Sequence, residues 1–253
     1  MEYVRRSNSL TKRQQKIDGG RSMATTLKKE SGWQYALLAI LIFLLLGMDV
    51  LSVFVGTLID GRDLSDFGIS NRHWYATVGA FLCSTTLWGI SAVLVVKWAK
   101  RRAVYETLLS TQTNRRALFV SLLGIIVIAL LSIIESGKIS ISFVQEYLGF
   151  EHRNPGYGGV LTFFQYLYYF LESVMVVLIL ATWQRAGELW TKKTYFPWGG
   201  TGLTLTWGLA HYASHPEGAL TVVVSAIVFG IIFVGVRKNA IASLVVVYSA
   251  FVL

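Results

Sequence analysis

Seven apolar stretches recur along this chain, several of them about 20 residues long, which is the length a helix needs to cross roughly 30 Å of hydrocarbon. They run from about Trp33 to Leu58, Trp74 to Trp98, Ala117 to Ile134, Gly159 to Trp183, Trp198 to Ser214, Leu220 to Val236 and Ala240 to Leu253. Polar residues or turn signals separate them, among them Asp60-Gly61, Asn154-Pro155-Gly156, Pro197, His215-Pro216-Glu217-Gly218 and Arg237-Lys238-Asn239. With 54% hydrophobic and 15% charged residues, a soluble core is excluded. The expected fold is an all-α polytopic membrane bundle of about seven transmembrane helices, residues 33–253, preceded by a basic disordered tail, residues 1–32. One cysteine, Cys83, leaves no intramolecular disulfide and no multi-cysteine metal site.

Lysine and arginine collect on alternate loops, as the positive-inside rule requires of a correct division into spans. The tail, the loop after the second span, the loop after the fourth and the last hairpin hold nineteen of the twenty-three. The opposite side holds only Arg62, Arg72, Lys138 and Arg153, together with seven of the fourteen acids. The amino terminus is therefore expected in the cytoplasm, the carboxyl terminus outside, and the cationic surface against anionic lipid headgroups rather than nucleic acid. Trp33, Tyr35, Trp74, Tyr75, Trp98, Trp183, Trp190 and Trp198 fall near span ends, where an amphipathic ring bridges headgroups and acyl chains.

An ionisable side chain at membrane depth costs about 2.5 kcal/mol or more on insertion scales, so each asks for a partner or a purpose. Asp49 comes out about 24 Å above the inner end of the first span, where solvation at the outer interface accounts for it. Glu172 on the descending fourth span and His211 on the ascending fifth both come out about 20 Å above the inner boundary. A carboxylate and an imidazole at one depth can lock two helices together or serve a ligand or a reaction. His211 and His215 share a helical face and with Glu172 or Glu217 could in principle hold zinc. A bare HxxxH is too common to carry that reading, and no metal or cofactor is expected. At the cytoplasmic end, Arg185 reads as an interfacial anchor with Glu188 one turn on.

The stretch Trp207-Gly208-Leu209-Ala210-His211 resembles the FxxxH signature of the CAAX protease and bacteriocin-processing (CPBP, or Abi) family of intramembrane glutamate proteases and their relatives. Asp66-Phe67-Gly68-Ile69 is similar to a short segment of some members. The family's EExxxR motif, aligned on Arg185, meets Leu180 and Ala181 where its two acids belong; Tyr248 and Val252 stand near its final HxxxN. The resemblance therefore implies a member lacking the usual catalytic pair, a pseudoenzyme that binds or regulates another membrane or cell-envelope protein at a bacterial plasma membrane. Its polar sites would draw on Glu172, Gln184, Arg185, Glu188, Trp207, His211 and Tyr248. Two alternatives stay open: a divergent intramembrane protease using Glu172 and His211, and a small transporter.

Overall fold

The three prolines, Pro155, Pro197 and Pro216, all fall between apolar runs, so none removes a hydrogen bond from inside a run. In a computed structural model of the chain, which describes residues 30–63, 72–110, 112, 115–137, 142–214 and 219–253, each run is helical. The elements are α1 (Gly32–Leu46), α2 (Asp49–Ile59), α3 (Trp74–Arg101), α4 (Tyr105–Leu108), α5 (Arg115–Ser136), α6 (Ser142–Arg153), α7 (Gly158–Thr191), α8 (Trp198–Leu203), a π-helical turn (Thr204–Gly208), α9 (Leu209–Ser214), α10 (Ala219–Gly235) and α11 (Ala240–Val252). The described residues contain no strand, only an isolated bridge between Ser110 and Asn239. Four segments, Gly32–Ile59, Trp74–Arg101, Arg115–Ile134 and Gly158–Thr191, are long and apolar enough to cross a membrane. Two shorter apolar helices, Thr221–Gly235 and Ala240–Val252, follow. Most of the expected basic tail, residues 1–29, lies outside the described residues.

Residues 32–253 form one unit organised around α7. Its central run, Met175 to Ala181, is apolar on every side and accordingly buried on every side, each residue no more than 5% exposed. Helices α1, α3, α6, α8 and α11 all pack against it. Large apolar side chains elsewhere point outward, as on α5, where Phe119 is 67% and Ile134 78% exposed. A soluble protein rarely presents so continuous an apolar surface, and lipid removes its cost.

Four details differ from the sequence expectation. The first span is broken at Gly47-Met48, and the fifth is α8, the π turn and α9 in series. Helix α7 runs eight residues past Trp183, to Thr191, so that Trp183 sits within it. The loop after the third span contains α6, whose outward Phe143, Tyr147 and Leu148 form an apolar stripe, while the Glu146 carboxylate accepts hydrogen bonds from Tyr169 Oη (2.8 Å) and Gln165 Nε2 (3.1 Å) on α7. Burial pushes the Glu146 carboxyl above its ordinary range, against the lowering effect of the Tyr169 hydrogen bond. Glu151 at the end of α6 accepts from the amides of Gly156 (2.7 Å) and Gly158 (2.9 Å) and so fixes the start of α7.

Two helices meet backbone to backbone where α8 crosses α10. A Cβ added to Gly200 would stand 2.9 Å from Ala226 O and from Gly230 Cα, and 3.1 Å from Ile227 O, all main-chain atoms that cannot swing away. Small residues allow this approach, as they do at close helix crossings in membranes. Gly200→Ala is expected to cost about 1–3 kcal/mol and to lower the thermal midpoint in detergent by several degrees, whereas Gly159→Ala, in open space at the start of α7, leaves it unchanged or raises it.

Candidate functional site

A helix interrupted inside an apolar medium leaves backbone groups that water cannot reach, and side chains must satisfy them. At the α1–α2 break the turn tightens, with Met48 N donating to Leu45 O (3.3 Å) and Val50 N to Gly47 O (3.4 Å). The indole N–H of Trp88, a residue 1% exposed on α3, donates to the released carbonyls of Leu46 (3.1 Å) and Leu45 (3.2 Å). Asp49 opens α2 immediately beyond, where a carboxylate suits the positive end of a helix. Its Oδ1 accepts from Ser84 Oγ (2.5 Å) on α3 and lies 2.8 Å from Ser52 Oγ; its Oδ2 accepts from Tyr168 Oη (3.1 Å) on α7. The expectation that Asp49 is simply solvated at the outer interface is corrected: three hydroxyl groups hold it in a half-buried position within the bundle.

The second irregularity is the π turn Thr204–Gly208, which carries Trp207 one turn before His211. Inserted π turns rotate the following residues relative to a regular helix and recur at functional sites. His211 Nδ1 lies 3.2 Å from Trp207 O, and its ring rests 4.6 Å from the Trp207 indole.

Between the two irregular segments lies a cleft of about 750 Å³. Asp49, Glu172, Trp207 and His211 line it, with Gln165, Tyr168 and Tyr169 of α7 and an apolar wall that includes Phe43, Phe81, Trp88 and Phe251. Glu172 is 7% exposed, and its carboxylate is within electrostatic reach of both Asp49 and the Trp207 indole N–H. That N–H is buried and closes no hydrogen bond of ordinary geometry. Among the described residues the cleft thus gathers two carboxyl groups, one imidazole and the Trp207 N–H against aromatic surface, an arrangement suited to binding a polar group and to moving a proton.

A second polar cluster lies near the other end of α7, twelve residues or about 18 Å from Glu172. Gln184, fully buried, donates through Nε2 to Glu188 Oε1 and to Phe196 O, both 2.9 Å, and accepts from Gly199 N at 2.9 Å. Glu188 Oε2 receives Lys238 Nζ at 2.7 Å, with Arg185 at 3.9 Å. Lys238 is presented by two consecutive left-handed residues, Arg237 and Lys238, in the hairpin between α10 and α11. Asn239 seals the turn, accepting from Ala242 N (2.7 Å) and donating to Gln112 O (2.8 Å). Every one of these groups is used within the fold, which makes the cluster a latch joining α7, α8 and the α10–α11 hairpin.

The structure therefore divides the residues singled out in the sequence. Glu172, Trp207 and His211 come together at the cleft; Gln184, Arg185 and Glu188 belong to the latch; Tyr248 belongs to neither and packs against Phe170 with ring centroids 6.0 Å apart. Leu180 and Ala181 are buried in the α7 core, and neither lines the cleft. His215, Glu217 and the segment Asp66 to Ile69 lie outside the described residues, which among themselves contain no group of three or more candidate metal ligands. Asp49, Ser84, Trp88 and Tyr168 were not singled out as a site, although Gly47 beside Asp49 in an otherwise apolar run was the available signal. No family model, curated protein or solved structure matches the chain.

The Glu188 side chain is 3% exposed, so removing its ammonium partner leaves a carboxylate poorly compensated. Lys238→Met is expected to destabilise the protein by about 1–3 kcal/mol, and Glu188→Gln added to it to recover most of that loss, both read from thermal unfolding in detergent.

Proposed function

We propose that this chain is a multi-pass protein of a bacterial plasma membrane, a divergent relative of the CPBP family that takes a segment of another membrane or cell-envelope protein into the Asp49–Glu172–His211 cleft. The observation that supports this reading is the cleft itself: about 750 Å³, walled by aromatic rings and edged with polar groups, it accommodates a side chain or a short stretch of polypeptide. The departures from the family's motifs, Leu180 and Ala181 for its acids and Tyr248 and Val252 at its final motif, favour recognition without proteolysis. The chain is read with seven spans, its amino terminus in the cytoplasm and its basic loops against anionic headgroups. In a Cys83→Ser background, Asn154→Cys is expected to react with an impermeant maleimide added outside intact cells and Lys193→Cys to be protected. The reverse pattern sinks the orientation.

A second reading is favoured by the convergence of Glu172, His211 and the unpaired Trp207 N–H on one cleft. In it Glu172 takes a proton from a water whose oxygen attacks a peptide carbonyl carbon. The Trp207 N–H donates to the developing oxyanion, and the proton returns to the leaving amine as the C–N bond breaks, with His211 beside it. Tagged protein solubilised from native membranes is expected to retain a partner that Trp207→Ala and His211→Ala release; repeated recovery of the protein alone removes the recognition reading. Cells carrying wild type, Glu172→Gln and His211→Ala then separate the two readings. Processing of the partner that stops in both variants supports hydrolysis, and equal processing in all three excludes it.

A further inference from the structure

The lining of the cleft is unbalanced in charge. Asp49 and Glu172 both face it, and among the described residues that line it His211 is the one basic side chain, with neither lysine nor arginine. Carboxylates at membrane depth are costly unless compensated, and serine and tyrosine hydroxyls compensate Asp49 only by dipoles. Around the two acids stand aromatic rings: Trp88 and Tyr168 with centroids 4.7 Å apart, and Phe81 5.5 Å from Tyr168. Ring faces attract cations, and more strongly where water is excluded. A third group specifies the ligand further. Trp207, 6% exposed, holds its indole N–H beside the Glu172 carboxyl without closing a hydrogen bond of ordinary geometry, so the occupant is also expected to bring a hydrogen-bond acceptor.

From this geometry we infer that the cleft selects a basic side chain: the bound segment carries a lysine or arginine whose cationic head enters between Asp49 and Glu172 against Trp88 and Tyr168, while a nearby carbonyl of the same segment accepts from Trp207. The inference rests on the segment-binding reading above and adds to it the chemistry by which a segment is chosen. An apolar cleft would sort segments by shape alone; this one discriminates by charge, because two carboxyl groups beside ring faces favour a cation over a neutral side chain of the same size. It also assigns Asp49 a role: its carboxylate, held by three hydroxyls, keeps its position whether or not the cleft is filled, so the cation meets a preformed site.

The full chain in lipid nanodiscs is titrated with two synthetic transmembrane peptides that are identical except for one central residue, lysine in one and norleucine in the other, and binding is followed by tryptophan fluorescence. The lysine peptide is expected to bind at least tenfold more tightly. Asp49→Asn and Glu172→Gln are each expected to reduce that preference several-fold, and Trp207→Phe to weaken binding of the lysine peptide. Equal binding of the two peptides to wild-type protein overturns the inference while leaving the segment-binding reading standing. Absence of binding by either peptide overturns both. The comparison between peptides needs no variant, so the test survives even where Asp49→Asn does not fold.

Discussion

The requirement that every backbone polar group in a lipid-facing bundle find a protein partner governs the layout of this molecule. Seven apolar runs could have produced seven regular helices, with no main-chain group left over. Instead α1 breaks from α2, and a π turn interrupts the segment between α8 and α9. Each departure frees main-chain atoms that apolar surroundings would leave unpaired, and each is met locally. Trp88 closes the carbonyls released at Leu45 and Leu46, and the threonine hydroxyls of the π segment return to the carbonyls of Gly200 (2.9 Å) and Gly202 (2.9 Å). The cleft exists because both interruptions occur on its walls. A regular α1–α2 helix would carry Asp49 at a different angle, and a regular turn before His211 would aim Trp207 elsewhere.

The hub helix supplies the opposite quality, rigidity. With Met175 to Ala181 buried all round, α7 has no free face over these residues, and its position is set by five neighbours at once. The latch at Gln184 and Glu188 pins one end of it to α8 and to the last hairpin, while Glu151 fixes the other end. Glu172 therefore stands on the least movable element of the bundle, whereas Asp49 and His211 stand beside irregular turns.

Much of the helical layout was legible in the sequence. Helix positions followed from hydrophobic length and from prolines confined to the connections, and α3, α10 and α11 begin within a residue of where the apolar runs begin. Glu172 and His211 were found by depth, since a 1.5 Å rise per residue locates two groups on antiparallel helices without any knowledge of packing. Depth did not give Asp49 its partners, because rise along an axis says nothing of the turn at Gly47-Met48, beyond which Asp49 meets Ser84 and Tyr168. It also carries no angular information, so Gln184, Trp207 and Tyr248 could be grouped as one set of polar residues although they belong to different surfaces. Helix α6 escaped notice because its apolar residues are spaced at a helical interval rather than in a run. The Lys238–Glu188 pair joins residues fifty positions apart, a separation at which local pattern is silent.

Helix α7 has 34 residues, which at 1.5 Å each is about 51 Å of rod. A hydrocarbon layer is about 30 Å thick, and even a steep 40° tilt projects only about 39 Å of that rod onto the membrane normal. At least about 9 Å of that projection must therefore emerge on one side or be shared between both. The acids Glu172 and Glu188, on one continuous helix, stand about 24 Å apart along that rod, one near its middle and one near its end. The latch lies three residues from the end of this rod, and Glu188, its side chain 3% exposed, meets Lys238 inside protein, where counterions do little to weaken the contact. One rod thus carries an enclosed joint near one end and the cleft near its middle, at a separation that its own length fixes.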